Sequence, residues 1–306
     1  MSTTPPAELP SEVSVALRSY LRAADRTLPG GIIACAVTGS IALGAYRPGR
    51  SDIDLVAVIA DEWGHHSDLI RRLHALHLSQ LPRLTARAAS GKGVSACCNT
   101  AFIWESEVSL PVTRIRPIAS HTGEIFEAGG AFDVNPVVWK ELADGGITVR
   151  GRPMADWGLD PEPERLGPWV ADNLREYWSP LAAQLRAAPS ATRRFQNRFL
   201  SGLVSRLPLR LIGYPRQLSA GTVEWCVLGP ARMHHTLMTG EIIGKEDAGR
   251  QVLTAFPKHA PITEVALAKV RGARIPPVPP RRQLRELAAS AMEDIIAEAV
   301  RTDPPR

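Results

Sequence analysis

Apolar residues in the first half of the chain follow helical and strand spacings in turn. Residues 11–27 carry apolar side chains at helical spacing and predict a first helix. Helical periodicity returns over residues 67–81. Short apolar runs, bounded by glycines or rich in β-branched residues, predict strands at 30–39, 53–60, 93–104 and 147–151. This half of the chain therefore predicts a small α/β unit.

The pattern changes near residue 151. Residues 151–168 are rich in proline and glycine and lack periodicity, which predicts a linker or long loop. We expect Pro230 to kink or split its helix and Gly240 to stand at that helix's C-terminal end. Helical spacing predicts helices at 168–188, 221–240, 245–256, 263–270 and 281–300. The second half therefore predicts an α-helical bundle.

Composition and charge narrow the class of protein. The 306 residues are 44% hydrophobic and 22% charged, with a net charge of +5. The basic residues are spread along the chain, so nucleic acid is not the expected partner. No run approaches the roughly 18 apolar residues of a membrane helix, and the first ten residues lack the pattern of a signal peptide. We therefore expect a cytoplasmic protein that does not bind membranes.

The cysteines give no sign of a metal site or a disulfide framework. Two of them, Cys97 and Cys98, are adjacent, and none of the four shows the CxxC spacing of zinc ligands. The other two are Cys35 and Cys226. Reduced thiols fit a cytosolic protein.

A glycine–serine turn followed by two carboxylates is the strongest chemical signal in the chain. Gly39 and Ser40 end one apolar run, and Asp52 and Asp54 stand at the start of the next. Residues i and i+2 of a strand share a face, so these carboxylates would project together, about 7 Å apart. They would repel each other unless a cation lay between them, and Mg²⁺ binds one or two carboxylates together with phosphates. The turn could cradle a phosphate with its backbone N–H groups, so the stretch predicts a metal–triphosphate site.

The stretch GSIALGAYRPGRSDIDLVAV resembles the signature of the DNA polymerase beta-like nucleotidyltransferases. More narrowly, the chain resembles the aminoglycoside adenylyltransferases of the streptomycin/spectinomycin type. Two further stretches carry the likeness, FDVNPVVWKELADGGITVRGRP and LGPARMHHTLMTGEIIGKEDAGRQVL. The resemblance implies an α+β fold, with a small mixed-sheet nucleotidyltransferase domain at 1–155. An all-α helical bundle at 156–306 would bind substrate and nucleotide.

The resemblance also implies roles for single residues. Asp52 and Asp54 fall on the catalytic Mg²⁺ ligands of the family. Asp133 or Asn135 falls near an acidic contact to the nucleotide, and we carry Asp133 forward. The remaining matches fall on nucleotide-binding positions, which are Gly39, Ser40, Ser51, Arg232 and Lys245.

Lys245 also has an interpretation that does not depend on the family. It opens a predicted helix, where a cation opposes the helix dipole at a cost of some tenths of a kcal/mol. A bound phosphate would reverse the sign of that effect. We therefore expect that removing Lys245 weakens triphosphate binding and slightly stabilises the nucleotide-free protein.

The sequence departs from the family at two positions. The family places a general base, a third carboxylate, on the strand after the crossover helix, where this chain has Cys97, Cys98 or Asn99. Glu105 or Glu107 could serve only if the alignment slips, and a buried thiol is a poor base. The family also holds its drug with a Trp and an Asp before the Arg-bearing helix, and residues 210–222 contain neither.

The metal–triphosphate site together with the resemblance implies an Mg²⁺-dependent adenylyltransferase with ATP as co-substrate. It would bind ATP between its domains as a monomer and transfer AMP to a hydroxyl of a small molecule, such as an aminoglycoside or aminocyclitol. The resemblance implies a role in antibiotic resistance. One alternative is a nucleotide-binding protein with weakened catalysis, because the third acid is missing. Another is an enzyme that nucleotidylates a protein or RNA.

Overall fold

A six-stranded mixed sheet and a set of helices make up the part of the chain that the computed structural model describes. Those residues are 9–89, 97–123, 125–130, 133–187, 220–277 and 281–302. The chain divides into two compact units, Met1–Pro163 and Glu164–Arg306. The first unit is α+β and the second is helical, which confirms the predicted fold class. The assignment of separate roles to domains divided after residue 155 stays a prediction.

The sheet of the first unit has the strand order β5-β4-β3-β2-β1-β6. Its strands are β1 (Ile32–Thr38), β2 (Ile53–Ile59), β3 (Cys98–Trp104), β4 (Ala119–Thr122), β5 (Ile125–Ala128) and β6 (Ile147–Arg150). Only the central pair, β2 and β3, is parallel, and the other pairs are antiparallel. A parallel pair needs a crossover, which here contains two helices.

The helices of the first unit cover both faces of this sheet. They are α1 (Ser11–Thr27), α2 (Gly39–Ala42), α3 (Leu69–Leu78), α4 (Leu81–Ala89) and α5 (Pro136–Gly145). Short 3₁₀ turns lie at Asp61–His65, Glu105–Glu107, Val112–Arg114 and Met154–Asp156.

Alternation along β2 assigns its side chains to two separate cores. Leu55 and Ala57 pack in a core with residues of α1 and α3, whereas Val56 and Val58 pack in a second core with Trp139 of α5. This is the two-residue period of a strand buried on both faces. Even-numbered positions of β2, Asp54 among them, therefore point to the face that α5 covers.

The second unit consists of helices. They are α6 (Pro163–Asn173), a π-helical turn (Leu174–Trp178), α7 (Ser179–Arg186), α8 (Ala220–Thr239), α9 (Lys245–Ala255), α10 (Ala260–Arg271) and α11 (Arg281–Thr302). Its core is formed by α8, α10 and α11, with Val223, Val227 and Ile262 fully buried. No helix in the described ranges is long and apolar enough to cross a lipid bilayer.

Most of the predicted elements are present, with some corrections. The first helix and the four strands lie where the pattern predicts them, but α4 and the hairpin of β4 and β5 were not predicted. The linker prediction for 151–168 is wrong in its last part, because α6 begins at Pro163, a residue suited to a helix start. Pro230 does not split its helix, since α8 runs through it and packs in the bundle core. Gly240 does follow that helix in a left-handed conformation, with φ of +73°.

Candidate active site

Three neighbouring strands bring Thr38, Asp54 and Asn99 side by side. Asp54 in β2 is paired with Thr38 of β1 and with Asn99 of β3. All three lie at the end of the central strands where β1 runs into α2, and Thr38 and Asn99 are buried. The chain thus places a carboxylate between a hydroxyl and an amide at one end of the central strands.

Gly39 is held close to Asp54 and could not be another residue without strain. Its φ is +62°, a left-handed conformation that favours glycine. A Cβ added at Gly39 would lie 2.3 Å from Asp54 Oδ2. Both the backbone conformation and the lack of space therefore require glycine, as the sequence pattern indicates. The following helix, α2, has a single turn, so the backbone of the Gly39–Ser40 turn, and not a long helix dipole, would meet an anion.

Asp52 lies immediately before β2 and is exposed. The carbonyl of Cys97 accepts a hydrogen bond from Ile53 N at 2.9 Å, so Cys97 lies beside the start of β2. Burial, and after it the charge of Asp52, raises the pKa of the Cys97 thiol to about 12. Cys97 therefore stays protonated at neutral pH. Cys98 points to the opposite face, where burial also raises its pKa, so neither thiol supplies a base.

Asn99 stands beside Asp54 on β3 and is one of the three residues considered for the position of a third carboxylate. Asn99 Nδ2 donates to Asp54 Oδ1 at 3.0 Å, and Asn99 Oδ1 accepts from Gly123 N at 2.9 Å. These two partners fix the orientation of the amide, since the backbone N–H can bond only to the oxygen. An amide takes up no proton at neutral pH, so this neighbour of Asp54 is not a general base.

Glu105 and Glu107 lie beyond the other end of β3. At about 3.3 Å per residue, Glu105 is on the order of 20 Å along the strand direction from Asn99. Glu107 is buried and is engaged with Arg116, whose backbone N donates to Glu107 Oε2 at 2.8 Å. Neither glutamate reaches the Asp52–Asp54 end of the sheet.

Glu141 is an acid at this site that the sequence interpretation missed. It lies on α5, is 5% exposed, and accepts two hydrogen bonds at Oε2, one from Gly39 N at 3.2 Å and one from Thr38 Oγ1 at 3.2 Å. A signal for it does exist in the sequence. Glu141 follows Val137 by four residues and so lies on the helix face that the buried Val137 occupies.

Asp133 precedes α5 and adds a further carboxylate to the same region. Surrounding protein first, and then the charges of Asp54 and Glu141, raise its pKa to about 7. Asn135 has another role, because its Oδ1 accepts from Val137 N and Val138 N at 3.0 and 3.1 Å and caps α5. Asn135 is thus engaged in capping α5, and the contact of Asp133 with nucleotide stays a prediction.

The serines of the predicted site lie on either side of one loop. Ser40 is half-buried in α2, and Ser51 precedes Asp52 and accepts a hydrogen bond at Oγ from Arg47 N at 3.0 Å. Glu12 of α1 anchors the loop between them by accepting from Gly49 N at 3.1 Å. Contact of either serine with phosphate stays a prediction.

The two predicted nucleotide-binding cations belong to the helical unit. Arg232 Nε donates to the carbonyl of Ile243 at 2.8 Å, which ties α8 to the connection that precedes α9. Lys245 is the first residue of α9, and its Nζ forms an ion pair with Glu224 Oε1 of α8 at 2.8 Å. Residues 210–222 correspond to the segment with which the family holds its drug. Of these, residues 210–219 lie outside the part of the chain that the structure describes.

The residues present fit a Mg²⁺ ion whose coordination shell is completed by water and substrate. Within the described ranges, no group of three or more His, Cys, Asp or Glu side chains is arranged to hold a metal ion. Two carboxylates suffice for Mg²⁺, which keeps waters and binds substrate phosphates. After burial, the charges of Asp54 and Glu141 contribute to the raised pKa of Asp133, and a cation would offset such charge.

Comparison with known proteins gives a likeness to solved structures. No family model matches the chain, and neither does any curated protein sequence. Among solved structures, the chain is similar to spectinomycin adenyltransferase AAD(9) from Enterococcus faecialis, whose crystal structure contains ATP and spectinomycin. The identity is 14% and the TM-score 0.55, over 93% of this chain and 99% of the other. The chain therefore has the fold of this spectinomycin adenyltransferase, which confirms, at the level of the fold, its resemblance to the aminoglycoside adenylyltransferases.

Proposed function

We propose that the protein transfers AMP from ATP to a hydroxyl group of a small molecule in a Mg²⁺-dependent reaction. The observation that carries the proposal is the close approach of Gly39 to Asp54, where a Cβ would lie 2.3 Å from the carboxylate. This contact supports the proposal because a glycine turn can bind phosphate and a neighbouring carboxylate can bind the Mg²⁺ that accompanies phosphate. Asp52, one position before β2, supplies the second carboxylate.

Each part of the site has a task in this reaction. Asp52 and Asp54 would hold Mg²⁺, which, when bound, neutralises charge on the phosphates and on the leaving group. The Gly39–Ser40 turn would bind phosphate oxygens. The acceptor oxygen forms a bond to the α-phosphorus as the bond to the bridging oxygen of pyrophosphate breaks. Transfer of this kind depends mainly on positioning and charge neutralisation.

The proton of the acceptor hydroxyl has no carboxylate on β3 to receive it. The neighbour of Asp54 on that strand is the amide of Asn99, and Glu105 lies at the far end of the strand. In this proposal the proton leaves to water or to an amine of the acceptor itself. An acceptor that carries amines, such as an aminoglycoside or aminocyclitol, suits this arrangement.

A nucleotide-binding protein with weakened catalysis is the second candidate. The observation that favours it is the hydrogen bond from Asn99 to Asp54, because an amide replaces the expected base. General-base assistance contributes about 10²–10⁴-fold to a rate, so its loss would leave binding intact and turnover slow.

Pyrophosphate release separates the two candidates. Purified protein would be incubated with MgATP, alone and with spectinomycin, streptomycin and a panel of related aminocyclitols, with the Asp54→Asn variant as control. Release that depends on an acceptor and is lost in the variant supports the transferase. MgATP binding by calorimetry without release for any acceptor would support the weakened protein, and absence of both would reject the nucleotide site altogether.

A further inference from the structure

Glu141 lies on α5, the helix that covers one face of the sheet, and contacts the turn of the proposed nucleotide site. Glu141 is 5% exposed, and it accepts hydrogen bonds from Thr38 Oγ1 and Gly39 N, where β1 runs into α2. Asp54 also lies against Gly39, with its Oδ2 2.3 Å from where a Cβ would be. The turn is therefore in contact with a carboxylate on α5 and with a carboxylate on β2.

Packing alone does not account for an acid at this position. Trp139 and Leu142, on the same helix, are fully buried in the core beneath the sheet and already anchor α5. Burying a carboxylate is costly unless hydrogen bonds compensate, so an apolar residue would serve packing better. The hydrogen bonds of Glu141 instead hold the backbone of Gly39, whose left-handed conformation must be maintained for the turn to keep its shape.

We propose that Glu141 is a positioning residue of the nucleotide site, which holds the Thr38–Gly39 turn in place so that Ser40 faces the phosphate whose metal ion Asp54 would hold. The inference rests on the proposed function and adds a residue to it. Glu141 acts through the turn and does not itself touch the nucleotide. What it supplies is an acceptor oxygen in a fixed position, and a neutral amide oxygen can supply the same.

Two substitutions at Glu141 distinguish the effect of its hydrogen-bond acceptor oxygen from the effect of its negative charge. Glu141→Gln keeps an oxygen that can accept from Gly39 N and Thr38 Oγ1, whereas Glu141→Ala removes it. We expect the dissociation constant for MgATP to rise about tenfold in Glu141→Ala, the effect of roughly one lost buried hydrogen bond. Glu141→Gln should stay within about twofold of the wild type, because the acceptor is retained.

Glu107→Ala is the matched control for stability. Glu107 is a buried glutamate of the same unit, 6% exposed, and it bonds to Arg116 at the other end of β3. Its removal should lower the melting temperature but leave the dissociation constant for MgATP unchanged. A general loss of stability would therefore show in both alanine variants, and a loss of positioning only in Glu141→Ala.

Calorimetric titration of MgATP into the folded proteins decides the inference. If the wild type binds MgATP and Glu141→Ala binds it equally well, the inference is wrong and the proposed function stands. If Glu141→Gln loses as much affinity as Glu141→Ala, positioning by hydrogen bonds is also wrong. If Glu141→Ala does not fold, Thr38→Val, which removes one donor, should weaken binding about threefold, and unchanged affinity would overturn the inference. A wild type that does not bind MgATP overturns both the inference and the proposed function.

Discussion

The side-chain amide of Asn99 donates a hydrogen bond of 3.0 Å to Asp54 across two parallel strands. Three residues of the third strand were candidates for the position of the missing base, Cys97, Cys98 and Asn99. The pairing of Asp54 with Asn99 selects Asn99 as the one beside Asp54, the proposed metal ligand. A test that introduces an acid beside Asp54 therefore requires a change at Asn99.

Asn99→Asp should raise turnover at neutral pH. The new carboxylate would stand beside Asp54, where it could accept the acceptor's proton, and such assistance is worth about 10²–10⁴-fold. It would also repel Asp54, so the metal-free variant should melt below the wild type and recover stability when Mg²⁺ is added. Steady-state pyrophosphate release and melting curves with and without Mg²⁺ measure both effects.

Asn99→Ala is the control for that variant, because it removes the amide without adding an acid. It should lose stability, since the Gly123 N–H and Asp54 both lose a partner, and gain no activity. Equal turnover in Asn99→Asp and in the wild type would show that proton removal does not limit the rate.

Gly39→Ala should destabilise the protein more than Gly44→Ala. Both glycines have a left-handed φ, +62° and +64°, which alanine adopts at a cost of about 1–2 kcal/mol. Gly44 has open space where the Cβ would be, whereas Gly39 has Asp54 Oδ2 at 2.3 Å. Chemical denaturation of the two variants isolates the crowding, which we expect to add at least about 1 kcal/mol. Equal destabilisation would mean that the turn yields easily and does not hold Gly39 against Asp54.

Lys245→Ala should weaken MgATP binding and lower stability slightly. The sequence-based expectation of a small gain in stability ignored Glu224, whose side chain is 16% exposed and pairs with Lys245. Loss of the Lys245 cation leaves the largely buried carboxylate of Glu224 without this ion pair. The cost of that loss should exceed the gain from removing a positive charge at the start of the helix. The net loss is small, because a partly exposed ion pair contributes only about 0.2–1 kcal/mol. Melting curves and calorimetry with MgATP measure the two effects.

Arg250→Ala on the same helix serves as the comparison for Lys245→Ala. Arg250 pairs with Glu246 and Asp247 and has no predicted role in binding nucleotide. It should change stability by a similar small amount and leave MgATP affinity unchanged. Equal affinity in wild type and Lys245→Ala would remove Lys245 from the nucleotide site.

Acid should destabilise the first unit through His121. This residue is fully buried, its Nε2 contacts Tyr20 OH at 2.8 Å, and burial, followed by the neighbouring His77, lowers its pKa to about 3. The folded state keeps His121 neutral while the unfolded chain binds a proton near pH 6.5, so stability present above that pH falls as pH decreases towards 3.

The free energy of unfolding, measured by denaturation between pH 7 and pH 4, should therefore decline less steeply in His121→Gln than in the wild type. His65→Gln, at an exposed position, should reproduce the wild-type slope. An unchanged slope in His121→Gln would show that another group carries the acid sensitivity.

Local sequence was enough to predict the part of the site formed by neighbouring residues. An apolar run indicates the strand that bears Asp54, and a glycine indicates the turn at Gly39. Both signals lie within about a dozen residues. By contrast, Asn99 became the neighbour of Asp54 only through the register of β2 and β3, which depends on a crossover of two helices. From spacing alone, Cys97, Cys98 and Asn99 are all candidates for the position beside Asp54.

Long-range contacts account for the residues that the sequence did not reveal. Glu141 lies 102 positions from Gly39 in the chain, and only the packing of α5 on the sheet brings them together. The strands β4 and β5 have four residues each and include His121, Ser120 and Glu127, so they lack the apolar run that marks a strand. Pairing with β3 holds them in the sheet despite this weak local pattern.

The central claim is that Asp52 and Asp54 form the metal site of a nucleotidyltransferase. Asp54→Asn tests it most directly, because the new amide oxygen can still accept the hydrogen bond from Asn99 Nδ2 while half of the paired charge is lost. Acceptor-dependent pyrophosphate release from MgATP should vanish in this variant with little change in melting temperature. Release above about a tenth of the wild-type rate would contradict the account.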